Sequence, residues 1–244
     1  MAAKLKLILR KIPWFLLANS AILGFGWLVL PYWLYVLAAV FLYLRSSHER
    51  LKFWISALFL VAYPWFTVEW FGGMAVYFGV LFAVAWFLLL GVKQLFFLKR
   101  PQAYAMMSGI LFFVGSLFFF WRLDPVQYFA ALLVFFIFTA LLFWEFYSFA
   151  AAGAVSSEAA KQGAFIFAAV FSLVLLELGW AVSLLPIGFL SSAAFLFLIF
   201  SVIEHSFFDY IAGSLHKNRI VFNGAVLILG TIIVLMFSSW SPGL

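Results

Sequence analysis

The chain has 244 residues, 68% of them hydrophobic and only 9% charged, with a mean hydropathy of +1.21, whereas soluble domains are about 45–50% apolar and about 25% charged. A water-soluble core is excluded. The net charge of +6 does not point to nucleic acid, because the basic residues flank apolar runs, where they orient a protein against anionic headgroups, and the absence of cysteine removes disulfides, thiolate metal sites and thiol nucleophiles.

The fold class expected is an all-α, polytopic transmembrane helix bundle, a single membrane domain over 1–244. At the start, Lys4, Lys6, Arg10 and Lys11 precede an apolar run, and Ala18-Asn19-Ser20 resembles a weak cleavage site. The run before it is shorter than the about 7–15 residues of a signal h-region, so the segment reads as a span rather than a cleaved leader.

Apolar windows and their breakers then predict spans at Ile12 to Trp27, Tyr32 to Leu44, Phe53 to Val68, Met74 to Val92 and Tyr104 to Trp121. Four more follow at Val126 to Tyr147, Ala164 to Leu184, Phe189 to Ile211 and Val221 to Trp240. Their near-continuous apolarity lacks the alternation of barrel strands, the other structure that can cross a bilayer. The first five spans (1–125) are mostly apolar. The last four (126–244) carry the polar residues within the apolar runs.

The region Ile12 to Leu44 has two readings, one long tilted helix or a short, even re-entrant, hairpin broken at Pro31. Charge arbitrates. With a hairpin, the clusters Lys4/Lys6/Arg10/Lys11, Arg45/Arg50/Lys52, Lys93/Lys99/Arg100, Lys161 and Lys217/Arg219 share one side, so 13 of the 14 basic residues are inside and only Arg122 is outside. A single first helix gives 9 against 5, which the positive-inside tendency disfavours. Pro31 interrupts helical hydrogen bonding, and Trp27, Tyr32, Trp33 and Tyr35 cluster around it as an interfacial aromatic belt. The expectation is nine spans, the amino terminus inside and the carboxyl terminus outside.

The longest inner connection, Phe149 to Gly163, carries small residues at helical spacing, Ala150/Ala154 and Ala160/Ala164/Ala168, a pattern that lets helices approach closely. No internal repeat is visible, and nine helices do not divide into the equal halves of an inverted-repeat transporter.

A charge at mid-bilayer costs about 2.5–3.5 kcal/mol on insertion scales, so each acid in an apolar run asks for a reason. Glu177 lies nearest the middle of its span, with Thr139, Thr231 or a backbone carbonyl as candidate partners, or with a proton- or ligand-handling role. In the next span His205 and Asp209 are four residues apart and share a face with Ser201, while Glu204 points about 100° away. An imidazole beside a carboxylate suits an interfacial ion pair, a proton relay or a metal-ligand pair. Glu145 sits near the inner end of its span, and Asn223 approaches from the last helix. If these ends meet, Glu145, His205, Asp209 and Asn223 line a polar pocket facing the cytoplasm.

Motifs of catalysis are missing. Ser108-Gly109 lacks the preceding glycine pattern of an intramembrane serine protease, paired-aspartate transferase helices are absent, and no His-Glu-x-x-His occurs. No catalytic residue, metal ligand set or cofactor is expected. The function expected is an accessory, scaffold or assembly subunit of a membrane complex, in contact with the bilayer and with membrane-protein partners or copies of itself. The alternative is a small proton-coupled transporter or channel using Glu177 and the Glu204/His205/Asp209 group, and an intramembrane enzyme ranks third. A plasma (inner) membrane location, multi-pass, is the plain expectation in the absence of targeting segments and extended soluble tails.

Overall fold

The computed structural model describes residues 14–45, 53–70, 72–93, 100–121, 125–151, 157–211 and 215–238. Among the described residues every regular element is helical and no strand occurs. The helices are α1 (Trp14–Val29), α2 (Tyr32–Arg45), α3 (Trp54–Trp70), α4 (Ala75–Lys93), α5 (Arg100–Phe120), α6 (Pro125–Ala151), α7 (Ser157–Ser183), α8 (Phe189–Ile211) and α9 (Lys217–Phe237), with a 3-10 turn at Gly72–Met74 before α4. Six of them, α4 to α9, are long and apolar enough to cross a membrane, whereas α1, α2 and α3 are shorter apolar helices. At 1.5 Å per residue α2 is about 21 Å long, less than the about 30 Å of a hydrocarbon core. This pattern marks an integral membrane protein.

The chain divides into two compact units, 1–107 and 108–244, with the boundary inside α5. In the first, the backbone breaks between Val29 and Tyr32, and α2 starts with the Leu34 and Tyr35 amides donating to the Pro31 carbonyl (2.9 and 3.0 Å). The guanidinium carbon of Arg45, at the end of α2, lies 5.6 Å from the centre of the Phe15 ring at the start of α1. The two helices therefore double back, as the charge distribution predicts, and a single helix over Ile12 to Leu44 is ruled out.

Close packing in this unit depends on a missing side chain. A Cβ on Gly24 of α1 would collide with the backbone of Ala83 on α4, and one on Gly79 would come within 2.7 Å of the Phe25 ring, so glycine lets these helices approach to backbone contact. Pro64 lies inside α3 and has no amide hydrogen to give the carbonyl four residues earlier, which belongs to Leu60. The buried Tyr35 hydroxyl of α2 donates to that carbonyl (3.3 Å), and Tyr32 donates to the neighbouring carbonyl of Val61 (3.0 Å). A neighbouring helix thus satisfies the acceptor that proline leaves open. Phe53, just before α3, adopts φ 66° and is held by burial of its ring 5.1 Å from that of Tyr104.

The second unit is built on antiparallel neighbours. Along α6 and α7, Phe143 packs on Phe167 and Phe171, and a Cβ on Gly163 would meet the Tyr147 hydroxyl at 2.5 Å. Ala164 and Ala168 of the small-residue stripe are buried, whereas Ala154 and the side chain of Ala160 lie outside the described residues. Between α5 and α8, Phe112 stacks on Phe200 at 4.1 Å, and Phe113 meets Phe197 edge-on. Phenylalanine, abundant without a motif in the sequence, fills the spaces between these helices.

Candidate functional site

The polar residues of α8 leave the helix in different directions, and its 100° step per residue separates neighbours in sequence. Glu204 turns inward and is 1% exposed. Its carboxylate accepts a hydrogen bond from the hydroxyl of Ser108 on α5, itself fully buried. Register explains the meeting: Ser108 is one turn before Phe112 and Glu204 one turn after Phe200, so on antiparallel helices the polar pair lies one turn from the stacked rings. The carboxyl is about 10 Å from the end of α8 at Ile211, seven residues on. Ser108 is discarded by the sequence reading as half of a protease motif; no local signal links two positions 96 residues apart.

Asp209, one turn further, faces α9. Its two oxygens are 3.2 and 3.4 Å from Nη1 of Arg219. Alongside, the Asn223 amide donates to the Ser206 hydroxyl (3.0 Å). These contacts, with Leu198 against Gly230, form an antiparallel seam between α8 and α9. His205 does not join it. Its side chain is exposed and Nδ1 lies 2.8 Å from the Ser201 carbonyl of its own helix, so the shared face expected for His205 and Asp209 resolves into an ion pair with a guanidinium instead, a permanently charged fork suited to a carboxylate.

Of the expected pocket residues, Asp209 and Asn223 are therefore brought together on one seam and His205 is not. Glu145 is buried on α6, between Phe143 and Phe146, whose rings pack on Phe200 and on Phe207 and Phe208 of α8. Among the described residues no group of three or more His, Asp or Glu is arranged to hold a metal ion.

Glu177 lies on the outer surface of α7. It is exposed, and among the described residues no side chain or carbonyl pairs with it. Thr139, one of its candidate partners, donates within its own helix to the carbonyls of Phe135 and Phe136 (2.9 and 3.0 Å). The surrounding surface is apolar, formed by Ile166, Val170, Leu173, Val174 and Trp180. Six residues separate Glu177 from the helix end at Ser183, about 9 Å, which keeps it within the span Gly163–Ser183.

In the first unit, Lys93 departs from the sequence reading, which groups it with the inner-loop charges. It is fully buried at the last residue of α4, and Nζ donates to the Tyr43 carbonyl (2.6 Å) and lies 3.4 Å from the Tyr43 ring centre. The carbonyls in the last turn of a helix have no intrahelical donor, and Tyr43 is in the last turn of α2. Lys93 is a cap supplied by another helix.

No protein-family model matches the chain, and neither a curated protein nor a solved structure does so.

Proposed function

We propose that this protein is an accessory or assembly subunit of a membrane complex, crossing the membrane nine times with its amino terminus inside, and that the outer face of α7 around Glu177 docks a partner helix. The observation that carries the reading is the position of Glu177: a carboxyl exposed on an apolar surface, in a helix long and apolar enough to cross a membrane, with no partner of its own among the described residues. Hydrocarbon makes such a group costly by about 2.5–3.5 kcal/mol, and interhelical hydrogen bonding is the usual way a membrane protein offsets the cost. A plasma membrane location accompanies the proposal.

Photo-crosslinkers at Val174 and Ala181, flanking Glu177 on the same face, test it in native membranes. Crosslinks to one protein partner or to a second copy, lost in Glu177→Leu, are expected. Lipid adducts alone, unchanged by the substitution, would sink the docking role.

The buried Glu204 and Ser108 pair favours a second reading, proton-coupled transport, in which Glu204 carries the proton. Reconstituted vesicles driven by a pH gradient decide between the two. Flux abolished by Glu204→Gln supports transport, and no flux from a broad substrate panel removes it.

A further inference from the structure

Two helices of the second unit, α7 and α9, carry long exposed faces, and one residue distinguishes them. From Ile220 to Phe237 every exposed side chain of α9 is apolar, a surface that lipid tails cover as well as protein does. On α7 a face of the same kind carries Glu177. Ile166, Val170, Leu173, Glu177 and Trp180 are all exposed and follow one another at steps of four, three, four and three. That 3.5-residue step keeps two helices facing each other as they wind left-handed, and a single polar residue in such a seam sets its register and the number of helices. From Ile166 to Trp180 the line rises about 21 Å. The other side of α7, with Ala164, Phe167, Ala168, Leu175 and Val182, is buried, so the exposed line is what remains for an outside helix.

Depth decides which partner can meet the carboxyl. Glu177 lies about 9 Å from the end of α7 at Ser183, and a partner gains from it only by offering a polar group at the same level. A second copy meets that condition automatically. Identical charge patterns insert identical chains in one orientation, and a two-fold axis along the membrane normal then sets α7 beside α7, parallel, with Glu177 opposite Glu177. Carboxyls are also self-complementary: with a proton between them, or one on each, the O–H of one donates to an oxygen of the other.

We infer that the partner of the α7 face is a second copy of this chain, held in a parallel two-fold pair by hydrogen bonding between the two Glu177 carboxyls. The inference rests on the docking role proposed for this face and names its occupant. Leu173 and Trp180 pack about a turn to either side of the carboxyls and keep water from them, and a hydrogen bond is stronger in such a low-dielectric setting.

The sequence has no cysteine, so one introduced thiol is unique in each copy. Leu173→Cys and Trp180→Cys place it on the seam, where residues near the axis face their own counterparts, and Ile228→Cys places it on the exposed face of α9 as a collision control. In proteoliposomes of the full chain at low protein density, oxidation should join copies of a seam variant faster than copies of the control. Adding Glu177→Leu should slow that joining about tenfold, the effect of one interhelical hydrogen bond. Glu177→Gln, whose amide also donates and accepts, should keep most of it. A seam rate no higher than the control at both positions, or a seam rate untouched by Glu177→Leu, would overturn the assignment. Photo-crosslinks from Val174 to a different protein, without disulfides between copies, remove this occupant and leave the docking role standing, whereas lipid adducts alone remove both.

Discussion

At the scale of single residues, helix register decides which acids are buried and which are not. Glu204 and His205 are adjacent in sequence, yet one is enclosed and bonded to Ser108 and the other is exposed. Because a buried group that loses its hydrogen-bond partner costs about 1–3 kcal/mol, Ser108→Ala should destabilise the protein by about that amount in a denaturant titration in micelles. Combining it with Glu204→Leu should cost less than the two single substitutions added together, because the second change removes the orphaned carboxyl. Strict additivity would mean that the pair is not coupled. The ion pair of Asp209 with Arg219, 59% exposed on the arginine side, contributes less, since an exposed cation is well solvated.

At the scale of elements, helices complete one another's backbones. Pro64 leaves the Leu60 carbonyl open and Tyr35 closes it; Lys93 does the same for Tyr43 at the end of α2. Tyr35→Phe should therefore cost about 1–3 kcal/mol, the penalty of a buried acceptor left unmet. In a Pro64→Ala background, where an amide hydrogen is restored to the helix, the same substitution should cost distinctly less. Equal losses in both backgrounds, measured by thermal melting in detergent, would show that the hydroxyl has no such role. The element boundaries were largely legible in sequence: Phe189 to Ile211 coincides with α8, and the break at Pro31 falls where the aromatic cluster places it. The misjudged ends include the starts of α5, α7 and α9, which begin earlier at Arg100, Ser157 and Lys217, and the end of α6, which runs on to Ala151, since helices continue through polar residues once they leave the hydrocarbon and hydropathy no longer follows them.

At the scale of the whole molecule, alternation of direction is visible within each unit. Arg45 returns to Phe15, Tyr43 meets Lys93, and in the second unit the ends of α8 and α9 meet through Asp209 and Arg219. The nine crossings proposed above would place the termini on opposite sides. A topology reporter fused after Leu244 should be active outside, and one inserted between Phe149 and Gly163 should be active inside. The same side for both would overturn the nine-span arrangement.

Composition and the spacing of charges determined, without coordinates, that the chain is a helical membrane protein, and they favoured the fold-back of its first apolar region at Pro31 that the structure then showed. Both follow from local free energies, the cost of charge in hydrocarbon and the loss of a hydrogen bond at proline. The partners of the acids were decided only in three dimensions. Ser108 for Glu204, Arg219 for Asp209 and no described residue for Glu177 depend on which helix faces which, and helix facing is set by packing of Phe112 on Phe200 and of Leu198 on Gly230. Sequence distance carries no record of those contacts.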